Sequence, residues 1–277
     1  MTRVAVVGLG LIGGSAALAL GARGYDADQG ARARARARGI QTLDTLAEAL
    51  DGSEIAVTAV PTAATPQLLR DIASLAPHAI LTDTASLKGP IVQAAETLPP
   101  RTRFVAGHPM AGSSDSGVEA ATPELFRGRP WILTWTARTD QGAFDAVSGI
   151  VREAGGRVVP LEAERHDRLM TWVSHAPVAV AAALTRAADA SAGPSLRDVA
   201  GPGFLGTTRV AAQPLALALE LALADPRALA DAIDGVGAEL ADLSSALRRG
   251  DAAAVAAYLE RAGAARRTFS WSQRGPL

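Results

Sequence analysis

Short runs of apolar, β-branched residues alternate with alanine- and leucine-rich stretches of helical period from the N-terminus to about residue 161. That alternation predicts a parallel sheet with crossover helices. The candidate strands are Arg3–Val7, Glu54–Val60, Ala79–Thr84, Arg103–Ala106, Trp131–Trp135 and Arg157–Leu161. From Glu162 onward the strand signal stops. Alanine and leucine recur there at helical spacing, with Gly193-Pro194, Gly201-Pro202 and Asp225-Pro226 as breaks between helices. The pattern predicts two domains, an α/β domain over 1–161 and an all-α domain over 162–277.

A chain of 277 residues, 48% of them hydrophobic, carries enough apolar side chain for both cores. The apolar stretch after Arg3 is not read as a secretory leader, because Gly8, Gly10, Gly13 and Gly14 interrupt it at the spacing of a nucleotide loop. No other run approaches a membrane span. A formal net charge of -1 gives no reason to expect nucleic acid or an anionic membrane as partner. With 0 cysteines, disulfides, thiolate metal sites and a cysteine nucleophile are excluded, and a reducing cytoplasm suits the composition. Of 27 basic residues only Lys88 is a lysine. The alternating Ala31–Arg38 segment spreads Arg32, Arg34, Arg36 and Arg38 around a helical cylinder, which predicts a solvated helix rather than a binding patch.

Three clusters carry candidate chemistry. The first is the strand ending at Val7, then Gly8-Leu9-Gly10-Leu11-Ile12-Gly13-Gly14, then a helix start. In such a loop the first glycine makes a tight turn, the second lets backbone approach a pyrophosphate, and the third lets helix and strand pack closely. This is the arrangement of a Rossmann-like dinucleotide site, with Gly8, Gly10, Leu11, Ile12 and Gly13 as cofactor contacts. Its acidic partner for the adenosine ribose is Asp26, although only Gly21–Tyr25 separates it from the helix, so the second strand looks truncated. An acid there favours NAD over NADP, and Arg32 is the one nearby group suited to a 2′-phosphate.

The second cluster, Thr82-Asp83-Thr84-Ala85-Ser86-Leu87-Lys88-Gly89, falls where a strand ends and a helix begins, the edge at which open parallel sheets bind ligands. Val60-Pro61 ends the preceding strand by the same logic, so Val60, Pro61 and Thr84 are expected to line the nicotinamide side. Ser86 reads either as a helix cap or as a site hydroxyl. The third cluster is Gly107-His108-Pro109-Met110-Ala111-Gly112. Histidine is scarce, with 4 copies, and suits proton abstraction near neutral pH.

Taken with Leu125-Phe126, His166-Asp167, Ser174-His175-Ala176-Pro177 and Thr207-Thr208-Arg209, these clusters resemble the prephenate/arogenate dehydrogenase family of tyrosine biosynthesis, nearly end to end. The resemblance implies a Rossmann domain followed by a helical domain that makes a homodimer, with no metal. It implies NAD-dependent oxidative decarboxylation of a cyclohexadiene acid, driven by aromatisation. His108 is implied as the base that takes the ring hydroxyl's proton, with Ser86 orienting it. Arg209 is implied as the anchor of a substrate carboxylate, and a guanidinium fork suits that task. Ser113 and His175 are further substrate-pocket candidates. His166 beside Asp167 reads equally well as structural, and His78 as exposed.

Two departures bear on the substrate: Ser114 stands where the family commonly has an acid, and Val178 where it commonly has a second histidine. Prephenate, arogenate and 4-amino-4-deoxyprephenate all stay open as substrates, because losing one polar contact can shift selectivity strongly. Two other classes compete: a β-hydroxyacid or imine reductase, and a non-catalytic NAD-binding paralogue. The reductase's lysine version is disfavoured, since the inter-domain helix holds no lysine. The leucine- and alanine-rich helices at Pro214–Ala224 and Ala228–Ala246 exceed what one small bundle covers, which predicts a homodimer.

Overall fold

The first half of the chain builds one sheet from seven strands: β1 (Val4–Val7), β2 (Arg23–Tyr25), β3 (Ile55–Thr58), β4 (Ile80–Asp83), β5 (Arg103–Pro109), β6 (Pro130–Trp135) and β7 (Arg157–Glu162). Their spatial order is β2-β1-β3-β4-β5-β6-β7 in the computed structural model, which describes residues 2–113 and 115–269. The chain steps from β1 outward to β2, then crosses back to β3 on the other side of β1. That reversal opens a crevice at the carboxyl ends of β1 and β3.

β1 to β5 are parallel, but β6 pairs antiparallel with β5, and β7 runs parallel to β6. The parallel sheet expected from sequence is present, with the β5–β6 pair as its antiparallel exception. A parallel neighbour needs a crossover, usually a helix. Between β5 and β6 the described residues supply only a short 3-10 turn, Val118–Ala120. β2 is as short as its sequence suggested, yet it forms, pairing with β1 over Arg23, Gly24 and Tyr25. A single bridge from Gly24 to Thr42 lies beyond it.

Neighbouring side chains on β1 feed opposite faces, as strand geometry requires. Val4 and Val6 join a core with Leu9, Ala16, Leu133 and Val147, under α1 (Leu11–Leu20), α2 (Gln29–Ala37) and α6 (Gln141–Glu153). Ala5 and Val7 join the other core with Leu50, Leu69, Ile72 and Ile91, under α3 (Leu46–Leu50), α4 (Thr65–Leu75) and α5 (Gly89–Glu96). Burial of each such Leu or Ile stabilises the fold by about 1.5–3 kcal/mol.

α7 (Ala163–Met170) carries the chain onward, and the two compact units of the protein divide between Asp167 and Arg168. The second unit is helical. A π-helical turn, Thr171–His175, leads into α8 (Ala176–Ala192), followed by α9 (Leu196–Val199), α10 (Pro202–Thr208), α11 (Leu215–Ala224), α12 (Pro226–Arg248) and α13 (Ala252–Arg267). Its own buried cluster is small, with Ala176, Leu229 and Ala232 at the centre. Leu215, Leu223, Leu240, Leu247 and Leu259 are each more than half exposed in the single chain. Among the described residues no helix is long and apolar enough to cross a membrane.

Candidate active site

The glycine loop has the mechanics its spacing predicts. Gly8 holds φ +95, and a Cβ there would lie 2.4 Å from the Ala59 carbonyl oxygen. At Gly13 a Cβ would lie 1.8 Å from the Gly8 oxygen and 2.9 Å from the Ala59 Cβ, so only glycine lets α1 settle on the strands. Gly10 differs: it is extended, and nothing lies within 4 Å of its Cβ position. Open space therefore faces the start of α1, whose first N–H groups receive no side-chain cap. Leu11 and Ile12 form that first turn. Uncapped N–H groups at the positive end of a ten-residue helix fit a dinucleotide's pyrophosphate.

Asp26 follows β2 and faces the same loop. Its carboxylate accepts from the Leu9 N–H at 2.7 Å and from the Asp28 N–H at 2.9 Å. Arg32 is already committed: its Nη1 donates to the Asp26 carbonyl at 2.7 Å, and its guanidinium lies 5.6 Å from the centre of the Tyr25 ring. Arg34, Arg36 and Arg38 are exposed, as a solvated helix requires, and two of them also pair with the chain after β5. Arg34 pairs with Glu119 at 2.9 Å, and Arg38 donates to the Ala121 carbonyl at 2.7 Å. Both hold the segment after β5 against α2, where the Thr122 N–H also reaches Ser15 Oγ at 3.0 Å. Val60 and Thr84 are half-buried and Pro61 is exposed just past β3 and β4, with the Thr84 N–H bonded to the Thr58 carbonyl at 3.0 Å.

β5 outruns its parallel neighbour. Pairing with β4 ends at Thr82 and Val105, whereas β5 continues to Pro109 along β6 alone, with His108 opposite Ile132. His108 therefore projects at the carboxyl edge of the parallel strands, the ligand-binding edge. Lys88 fixes the residue before it. The Lys88 side chain is fully buried, and its Nζ donates at 2.5 Å both to Asp83 and to the Gly107 carbonyl. Asp83 in turn accepts the Gly107 N–H at 3.0 Å and the Ala85 N–H at 2.9 Å. Burial pushes the Lys88 ammonium below its usual range, opposed by the Asp83 charge and hydrogen bond and by Asp167. Gly107 is obligatory, because a Cβ would lie 2.6 Å from the Asp83 carbonyl oxygen.

His166 meets His108. Nδ1 of His108 lies 2.8 Å from Nε2 of His166, with the ring planes at 65°. His166 is fully buried, and its Nδ1 lies 2.7 Å from the Asp167 carboxylate. That carboxylate also accepts the Lys88 N–H at 3.0 Å and the Gly89 N–H at 2.7 Å, at the start of α5. Burial works to raise the Asp167 pKa, but the bonds from His166, Lys88 and Gly89 outweigh it and leave it below the ordinary value. Sequence reasoning left His166 open and gave Asp167 no role. The available signal was their adjacency, since a carboxylate beside a histidine can pair with its ring.

The remaining candidates divide by unit. Ser86 is half-buried between β4 and α5, and Ser113 is exposed, accepting from the Asp115 N–H at 3.2 Å. His78 is exposed. Ser114 lies outside the described residues. In the second unit His175 is buried at the end of the π-turn, Val178 is half-buried in α8, and Arg209 is exposed just after α10.

Two family models match in tandem: prephenate dehydrogenase, nucleotide-binding domain, over residues 20–160, and prephenate dehydrogenase, dimerization domain, over 162–261. The chain belongs to the prephenate dehydrogenase family. The first match begins at residue 20, so the glycine loop of this family member stands on its own geometry. A cyclohexadienyl dehydrogenase of Zymomonas mobilis is 32% identical over 262 residues, covering 90% of this chain and 89% of that protein. A prephenate dehydrogenase of Bacillus subtilis is 30% identical over 288 residues, covering 99% and 78%. The crystal structure of the Aquifex aeolicus prephenate dehydrogenase in complex with hydroxyphenyl propionate and NAD+ superimposes with a TM-score of 0.87 at 28% identity, covering 98% of this chain and 99% of that one.

Proposed function

We propose that this dehydrogenase oxidatively decarboxylates prephenate to 4-hydroxyphenylpyruvate, with NAD as the oxidant and His108 as the base. The observation that carries the reading is the half-buried His108, held from behind by His166 at the ligand edge of a sheet whose first loop fits a pyrophosphate. NAD, when bound, supplies the hydride acceptor. Gly8, Gly10, Leu11, Ile12 and Gly13 are assigned to the pyrophosphate, Asp26 to the ribose hydroxyls, and Val60, Pro61 and Thr84 to the nicotinamide side. Arg32 is spent on the carbonyls of Asp26 and Ala27, which supports NAD over NADP.

The substrate hydroxyl gives its proton to His108 while the C–H electron pair of the same carbon departs as hydride. Loss of carbon dioxide then leaves its bond electrons in the ring, which becomes aromatic, and the proton returns to the phenolic oxygen. Base assistance of this kind contributes about 10²–10⁴ in rate. Ser86 is assigned to orient the hydroxyl and His108, Arg209 to a substrate carboxylate, and Ser113 and His175 to the remaining substrate contacts. We assign residues 1–161 to dinucleotide binding and 162–277 to substrate contacts and a homodimer. The exposed leucines of α11 to α13 support the latter.

The test is a substrate panel: purified protein with NAD or NADP against prephenate, arogenate and 4-amino-4-deoxyprephenate. Reduced NAD and carbon dioxide formed in equal amounts from prephenate are expected. Turnover of arogenate alone reassigns the side chain that is recognised, and turnover of the amino analogue alone reassigns the ring substituent. NAD binding without turnover on any of them overturns the reading.

A further inference from the structure

We infer that Asp167 and His166 are positioning residues that decide which nitrogen of His108 carries its lone pair. The inference rests on His108 being the base, and it concerns the tautomer rather than the identity of that base.

An ionised carboxylate only accepts hydrogen bonds, and Asp167 is held in that form by three donors. Nδ1 of His166, 2.7 Å away, must therefore carry the proton. A neutral imidazole has one N–H, so Nε2 of His166 is left as an acceptor. The nitrogen that it faces at 2.8 Å, Nδ1 of His108, must then be the donor. By elimination Nε2 of His108 holds the lone pair, the form a general base requires. Because His166 is fully buried, water does not offer its ring a competing partner.

The same contacts act during turnover. When Nε2 of His108 takes the substrate proton, its Nδ1–H becomes a charge-assisted donor to His166, which passes the polarisation to the Asp167 carboxylate. No proton need leave His108 along this path. The competing assignment is that Asp167 merely caps α5 through the Lys88 and Gly89 N–H groups. A cap would stabilise the helix without touching the tautomer of His108.

Nitrogen-15 NMR of histidine-labelled protein separates the two, since protonated and bare ring nitrogens resonate far apart. At about pH 8, above the ordinary histidine range, the wild type is expected to show Nδ1 of His108 protonated and Nε2 bare. In Asp167→Ala and His166→Leu, His108 is expected to become a mixture of tautomers, with kcat about tenfold or more lower and NAD affinity unchanged. His166→Gln, which keeps a side-chain acceptor, is expected to restore the tautomer and much of kcat. A protonated Nε2 in the wild type, or an unchanged His108 tautomer in Asp167→Ala, overturns the inference. Should His166→Leu not fold, the wild-type and Asp167→Ala spectra still decide it. Failure of the base assignment itself shows separately, as turnover retained in His108→Asn.

Discussion

The ammonium of Lys88 and the carbonyl oxygen of Gly107 lie 2.5 Å apart in a fully buried setting, so the only lysine of the chain holds the residue that precedes His108. Asp83 completes the arrangement by binding both the ammonium and the Gly107 N–H. A slim ammonium with three rotatable donors serves two acceptors in such a space, whereas a planar guanidinium fork does not fit the same geometry.

Lys88→Met strands the Asp83 carboxylate in the interior, at a cost of about 3–5 kcal/mol. Its Tm is expected to fall by on the order of 10 °C, read by calorimetry. Adding Asp83→Leu removes the stranded charge and is expected to recover part of that loss. Activity is not expected to recover, because the Gly107 N–H and carbonyl remain without their partners. A double variant with wild-type kcat contradicts this account of the turn.

Two glycines of the loop are expected to respond in opposite ways. Gly13→Ala drives a methyl to 1.8 Å from the Gly8 oxygen, so stability falls along with NAD binding. Gly10→Ala has nothing within 4 Å of the new methyl, so the fold is expected to melt as the wild type does. Calorimetric titration should nonetheless show weakened NAD binding, because the methyl occupies the space assigned to pyrophosphate. Unchanged NAD affinity in Gly10→Ala places the cofactor elsewhere.

The lowered pKa of Asp167 makes part of the stability acid-sensitive. A carboxyl whose folded value lies below its unfolded value stabilises the protein above the ordinary carboxylate range, and loses that contribution as pH falls through the folded value. The stability gap between wild type and Asp167→Asn is therefore expected to be full near pH 7 and to shrink below about pH 4. Urea titrations at a series of pH values measure it. A gap that widens on acidification contradicts the assignment of an ionised carboxylate.

Leu223 is 67% exposed in the single chain, on the helix that also bears Leu215 at 73%. A partner subunit covering that face makes Leu223→Asp dissociate the dimer, whereas on a free surface the change is neutral. Light scattering is expected to give a dimeric mass for the wild type and a monomeric mass for the variant. A monomeric wild type contradicts the assembly.

Much of this was legible in the sequence, for identifiable reasons. The glycine loop is a local feature, and the tasks of Gly8 and Gly13 follow from spacing alone. The alternation of strand and helix located six of the seven strands, since buried strands leave runs of β-branched residues, whereas the three residues of β2 are too few to leave one. The direction of β6 was not legible, because it depends on a crossover helix that the described residues between β5 and β6 do not supply. The roles of Arg34 and Arg38 were hidden for a similar reason: periodicity describes a helix face but not the carbonyl or carboxylate that meets it from 80 or more positions away. Lys88 stood out by rarity, not by its contacts. His166 and Asp167 were visible as a pair, but the contact of His166 with His108 spans 58 positions and follows from Asp167 docking on the start of α5.

The most direct test of the central claim compares wild type and His108→Asn for reduction of NAD by prephenate, with NAD affinity measured on the same samples. The variant is expected to bind NAD as the wild type does and to turn over at least about 10²-fold more slowly. Turnover close to wild type in His108→Asn, with binding intact, would show that the proton leaves to some other group.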